Sequence, residues 1–197
     1  MNTATVDKLA SVDVQLSLAR IEPPPAVAGV VVGLQSAHEV IEALVGGGFL
    51  LEATRFLAHA LPRREAVWWS CMCARHTAPG DLPKPDTAAL AAAEEWVRRT
   101  SDENRRAAFA HAQDSGFGTP EAWSAVAAFW CGDSMSPLGQ VAVPPAPHLA
   151  GTAVAGAVAL ASVRVRPGRQ AERLARFVDS ARAIAAGATG RIPPEAA

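Results

Sequence analysis

Tyrosine is missing from this 197-residue chain, and lysine occurs only twice, at Lys8 and Lys84, against 16 arginines. The formal net charge is −1. A molecule this close to neutral has no overall field to draw nucleic acid or an anionic membrane. Cysteine is sparse and odd in number, three in all, which excludes the even framework of a disulfide-stapled secreted domain and fits reduced thiols in a cytosolic protein. Residues 1–20 carry Asp7, Lys8 and Asp13 without an uninterrupted apolar core, so they do not form a signal peptide. The longest uncharged apolar run, Leu149 to Val163, is 15 residues and rich in alanine and glycine. That is too short for a bilayer span. Gly46-Gly47-Gly48 is followed by no Lys-Ser/Thr pair and preceded by no strand, which makes it a helix stop and not a phosphate cradle.

What is present is alanine, helix punctuation and five tryptophans. Alanine-rich, β-branch-poor composition favours an all-α fold. The stretch Glu65-Ala-Val-Trp-Trp-Ser-Cys-Met-Cys-Ala-Arg75 is apolar all round from Ala66 to Ala74 except for Ser70. Such a helix is enclosed by other helices. Neighbouring Trp68 and Trp69 point about 100° apart and so anchor different packing partners. Ser36 and Glu39 form a capping box, opening a helix that ends at Gly46. Helices follow over 49–61, from Pro62 to about His76, from Asp86 to about Thr100, and from Asp102 to Ser115. Thr119-Pro120-Glu121 starts another, nearly apolar to Trp130. The last two run from about His148 to Val163, where Gly151 and Gly156 permit close backbone approach, and from Pro167 to about Ala186. The sum is an all-α domain over 33–187, about eight helices packed as antiparallel hairpins, a bundle or a short hairpin stack. No legible repeat of 30 to 50 residues favours a regular solenoid.

Ahead of this domain, residues 1–32 read as an arm with a Pro-rich linker. Val12, Val14, Leu16 and Leu18 alternate with polar residues at the period of a strand, and Pro23-Pro24-Pro25 extends the backbone. The arm either lies on its own domain or adds to a partner's sheet edge. Residues 188–197 read as a disordered tail.

Chemistry-bearing residues are few. Cys71-x-Cys73-x-x-His76 with Cys131 is the one set with metal-ligand character, but helical positions two apart diverge, and buried cysteine is a small hydrophobe. His76 follows Cys73 by three residues, yet no Asp or Asn orients it as a base. Glu94 and Glu95 read as a solvated face paired with Arg98 and Arg99. Arg164, Arg166, Arg169, Arg173, Arg176 and Arg182 against Glu172 and Asp179 give the C-terminal segment a local charge of +4, six minus two, read as a solvated face. Trp96, near the edge of its apolar stripe, is the tryptophan expected to show a face to a partner.

The Glu65–Arg75 block, with Ala122-Trp-Ser-Ala-Val-Ala-Ala-Phe-Trp-Cys-Gly132 leading through Ser134-Met-Ser-Pro137 to Pro144-Pro145, resembles a small uncharacterised bacterial all-helical domain family. That family is often encoded in gene clusters for type VI secretion. The resemblance covers roughly residues 35–165 and implies an accessory role: an adaptor or chaperone touching a secretion effector, spike or adaptor protein. It implies no catalytic residues, cofactor or metal. The expectation is therefore a cytoplasmic, non-enzymatic interaction module, with contacts at Val12, Val14, Leu16 and Leu18, at Trp96, at Met135 and Leu138 in the long loop Asp133–Pro147, and at Arg169, Arg173 and Arg176. An immunity protein that binds a toxin, and a small thiol- or metal-dependent module using Cys71, Cys73, His76 and Cys131, are the alternatives.

Overall fold

The structure is a computed structural model that describes residues 7–196. Residues 1–6 of the expected arm and Ala197 of the expected tail lie outside the described residues. Within them the chain forms ten α-helices and a 3₁₀ turn, and no strand. They are α1 (Val14–Ile21), α2 (Pro25–Val31), α3 (Ala37–Gly46), α4 (Leu50–Ala60), α5 (Arg63–Thr77), α6 (Lys84–Arg98), α7 (Asp102–Asp114), α8 (Pro120–Phe129), α9 (Leu149–Val163) and α10 (Gln170–Ala185), with the 3₁₀ turn at Pro167–Arg169. Eight of the ten match the helices expected from the sequence. No single helix among the described residues is long and apolar enough to cross a membrane.

The additional two correct the reading of the arm. Val12 to Leu18 is not a strand: Asp13 caps α1 by accepting from the Leu16 N–H, and Val14, Ser17, Leu18 and Ile21 are buried. That set is i, i+3, i+4, i+7, the inward stripe of a helix. Leu16, in step with a strand, is instead 47% exposed. Pro25 does not extend the backbone but starts α2 at the first helical position, where its missing N–H costs nothing.

Helices α5 and α9 hold the centre. Ten of the fifteen residues of α5 are buried, and it packs against α4, α6, α8, α9 and α10, while α9 packs against α4, α5, α8 and α10. Trp69 is fully buried, and its indole N–H donates to Phe177 O of α10 at 2.8 Å. Trp68 faces elsewhere and donates to Thr189 O at 2.7 Å. The adjacent indoles thus bind different elements, as their angular separation requires. Gly151 of α9 lies so close to the His59 ring that a Cβ there would overlap it. Gly156 has only ordinary contact with Trp123.

Residues 188–196 are placed against the helices, in contrast to the disordered tail expected. Ser180 Oγ donates to Gly190 O (2.5 Å) and His76 Nδ1 to Pro193 O (2.5 Å). The Glu195 N–H donates to His76 O (2.7 Å), and its carboxylate takes Arg173 and Arg169. This terminal strap runs along α5 from Trp68 to His76 and back along α10 from Ser180 to Arg173.

Candidate functional site

Most of the polar side chains that sequence reading singles out are spent inside the fold. Arg173 is 1% exposed. Its guanidinium donates to Ser162 O (3.1 Å), Arg164 O (2.6 Å) and both oxygens of Glu195. It closes the end of α9 and holds the strap; it is not a contact residue. Arg169 pairs with Glu172 and Glu195, and Arg176 with Glu172, while Arg164 pairs with Glu121 and Arg182 with Glu42. The expected cationic face is therefore largely neutralised by partners that lie on other turns and other elements. Trp96 is 5% exposed and belongs to the core. Val14 and Leu18 are core residues as well, with Val12 packed at its edge.

Glu94 differs from its expected solvated state. It is 3% exposed and takes a forked pair of N–H groups from Arg75, with Nη2 at 2.7 Å. Sequence reading paired it with its own helix at i+4 and missed α5, because only the tertiary fold brings Arg75 over it. Glu121 is likewise fully buried and gripped by both Nη groups of Arg164. Asp86, the expected first residue of its helix, stands inside the first turn of α6 and accepts from the hydroxyls of Ser115 and Thr119. The helix α6 begins at Lys84, two residues earlier than the sequence suggests, with Pro83 at its N-cap position.

The thiols and His76 are not gathered into a ligand set. Among the described residues no group of three or more His, Cys, Asp or Glu could hold a metal ion. Burial pushes the Cys71 and Cys73 thiols far up, and Cys131 up to about 12, so none is a thiolate near neutral pH. Cys131 Sγ donates to Ala127 O at 3.1 Å. His76 Nδ1 is committed to Pro193 O, its ring stands edge-on to Phe177, and its Nε2 meets no partner among the described residues. A base so enclosed has no nucleophile to serve.

What remains available is the loop between α8 and α9, residues 130–148. Its base is built. Ser134 Oγ accepts from Ser136 N and Val143 N (both 3.1 Å), Met135 N donates to Val143 O (2.8 Å), and Arg106 donates from α7 to Ser136 O (2.8 Å). Between these ties the chain turns through Gly139 at φ +81°, a conformation that suits glycine. At the tip Leu138 is 76% exposed, Val141 88% and Val143 50%; Met135 is half-buried below them. Leu138 and Met135 were singled out from the sequence; Val141 and Val143 were not, though their place among glycine and prolines, outside any helical stripe, marked them. An ordered loop with three large aliphatic side chains in water is unusual unless it meets another surface.

No curated protein and no solved structure matches this chain. A family model does match residues 40–185, from the first turns of α3 to the end of α10 and including the whole of the α8–α9 loop, so the chain belongs to the family of unknown function DUF6931.

Proposed function

We propose that this protein is a non-enzymatic interaction module that docks onto a protein partner through the loop 133–147. The observation that carries the reading is the pairing of a hydrogen-bonded base with an exposed aliphatic tip at Leu138, Val141 and Val143. Burying three such side chains gives roughly 1.5–3 kcal/mol each, enough to anchor an interface whose remaining contacts are polar. The helices beneath read as hairpins joined by short turns, a rigid platform that spares the loop the entropy of ordering on contact. The resemblance noted in the sequence supports an adaptor- or chaperone-like accessory role in a type VI-like secretion pathway, with an effector, spike or adaptor protein as partner.

The test compares wild-type protein with the triple variant Leu138→Ser, Val141→Ser, Val143→Ser in co-purification from cells that express its gene neighbours. The exposed positions leave the helical circular dichroism and melting temperature unchanged. Loss of a defined partner with the fold intact supports the reading; equal recovery by both proteins contradicts it.

A further inference from the structure

Beyond the loop, a second feature stands out by its charge. A cavity of about 100 Å³ lies between α1, α4, α5 and α9, lined by Arg20, His59, Arg63, Pro147 ahead of α9, and Ala150 and Gly151 in its first turn. Arg55 and His148 lie near enough to act on His59. Arg55 is committed to Ile21 O (2.6 Å), whereas neither Arg20 nor Arg63 has a hydrogen-bond or ion-pair partner among the described residues. Two helices of fifteen residues, α5 and α9, begin at this cavity, and neither has a side-chain cap. The Ala150 and Gly151 N–H groups donate to no carbonyl there.

Helix N-termini carry positive partial charge and favour anions. At α9 no acidic residue stands in the first turn and His148 precedes it; the first turn of α5 carries Arg63 together with Glu65, whose carboxylate is taken by Lys8. The apolar remainder of the lining, Ala58, Leu61 and Val154, offers no compensating charge. No carboxylate lines the cavity; that of Asp13, in the adjoining hollow that shares Arg20 and His59, is already occupied as the cap of α1. A local breach of electrostatic complementarity in an otherwise well-paired molecule is the mark of a site awaiting a ligand.

We infer that this cavity is an oxyanion-binding site, taking a phosphate or carboxylate headgroup between Arg20, Arg63, His59 and the free N–H groups of α9. Its size admits one such group and leaves the remainder of the ligand outside. Burial, then the charges of Arg20, His148 and Arg55, hold the pKa of His59 down at about 4. An anion seated there offsets the part of that depression due to neighbouring cations and raises the His59 pKa, while the part due to burial remains. The site shares no residue with the docking loop's tip, so each reading stands or falls alone.

The experiment is a titration of the full chain at pH 7 with inorganic phosphate, with acetate and with chloride at matched ionic strength. It follows the Ala150 and Gly151 amides and the His59 ring by NMR. Saturable shifts with phosphate or acetate, absent with chloride, are expected. The Arg20→Gln, Arg63→Gln variant, with spectral dispersion preserved, weakens them by about tenfold or more, since charge-assisted contacts dominate. Tighter phosphate assigns a phosphate-bearing ligand, tighter acetate a carboxylate, and equal binding the oxyanion class as a whole. In saturating sulfate the His59 midpoint rises from about 4 toward the ordinary 6.5. Identical shifts in chloride, no saturation with either anion, or undiminished binding by the double variant overturns the proposal.

Discussion

At the scale of single residues, the molecule uses charge as mortar. Glu121 stands in the first turn of α8, where the helix dipole favours a carboxylate. It is also sealed from water, which makes Arg164 indispensable to it. Arg164→Ala leaves a buried carboxylate without its cation and is expected to cost about 3–5 kcal/mol. The double variant Glu121→Gln, Arg164→Met recovers much of that, since it removes the stranded charge along with its partner. Urea denaturation of the three proteins checks both statements; an Arg164→Ala loss below about 1 kcal/mol, the worth of an exposed pair, places Glu121 in water instead. Gly132 makes a related demand, because a Cβ there would run into the buried Arg105 guanidinium, which lies over the Phe129 ring at 4.8 Å and donates to Phe129 O.

At the scale of elements, the strap shows how local sequence understates order. Gly187, Gly190 and two prolines read as a stop and a tail, yet the segment's carbonyls meet Trp68, Ser180 and His76, donors supplied by distant helices. No local pattern announces such partners. Glu195→Ala is expected to destabilise the chain by about 2–3 kcal/mol, because the nearly buried Arg173 keeps its backbone acceptors but loses its counter-charge. Hydrogen exchange at the Glu195 amide, which donates to His76 O, should accelerate along with it; unchanged stability and exchange would mean the strap does not bear on the helices.

The arm illustrates the opposite case, in which the signal was present and the wrong period was followed. Val12 to Leu18 satisfies a two-residue alternation, but Asp13 as a cap and Val14, Leu18 and Ile21 satisfy a helix over a longer window. The core elements were legible because their signals were redundant. The Ser36–Glu39 box, the Thr119-Pro120 start and the stripe of α10 all appear where the residues put them. The burial of Glu94, Arg173 and Trp96 was not legible, since each depends on which neighbour the fold lays across it.

At the scale of the whole molecule, His59 and the carboxylates Asp7, Asp102 and Glu195 share a direction. The pKa of His59 is held down to about 4 by burial and neighbouring cations. His38 holds the Asp7 carboxyl below its usual range, Arg106 does so for Asp102 and Arg173 for Glu195, each chiefly by hydrogen bonding. A group whose pKa is depressed on folding binds fewer protons in the native state, so stability grows with pH through its window. The His59 contribution is complete above about 6.5, its ordinary value, and is lost as pH falls to about 4; the carboxylates add their loss below that. The urea midpoint is therefore expected to fall between pH 6.5 and 4, and His59→Gln to flatten that interval while leaving the steeper fall below pH 4. A wild-type midpoint level down to pH 4 would contradict this. Cys71, Cys73 and His76 are enclosed, and the exposed aliphatic side chains of the α8–α9 loop stand apart from them on the surface.

The most direct measurement places a photo-crosslinking amino acid at position 141, and in a separate protein at position 165, where Val165 is 78% exposed in the short turn after α9, away from the α8–α9 loop in sequence. Irradiation in cells that express the neighbouring genes should give one discrete adduct from position 141 and none from 165. Adducts from 165 with none from 141, or no adduct from either, would contradict docking through the α8–α9 loop.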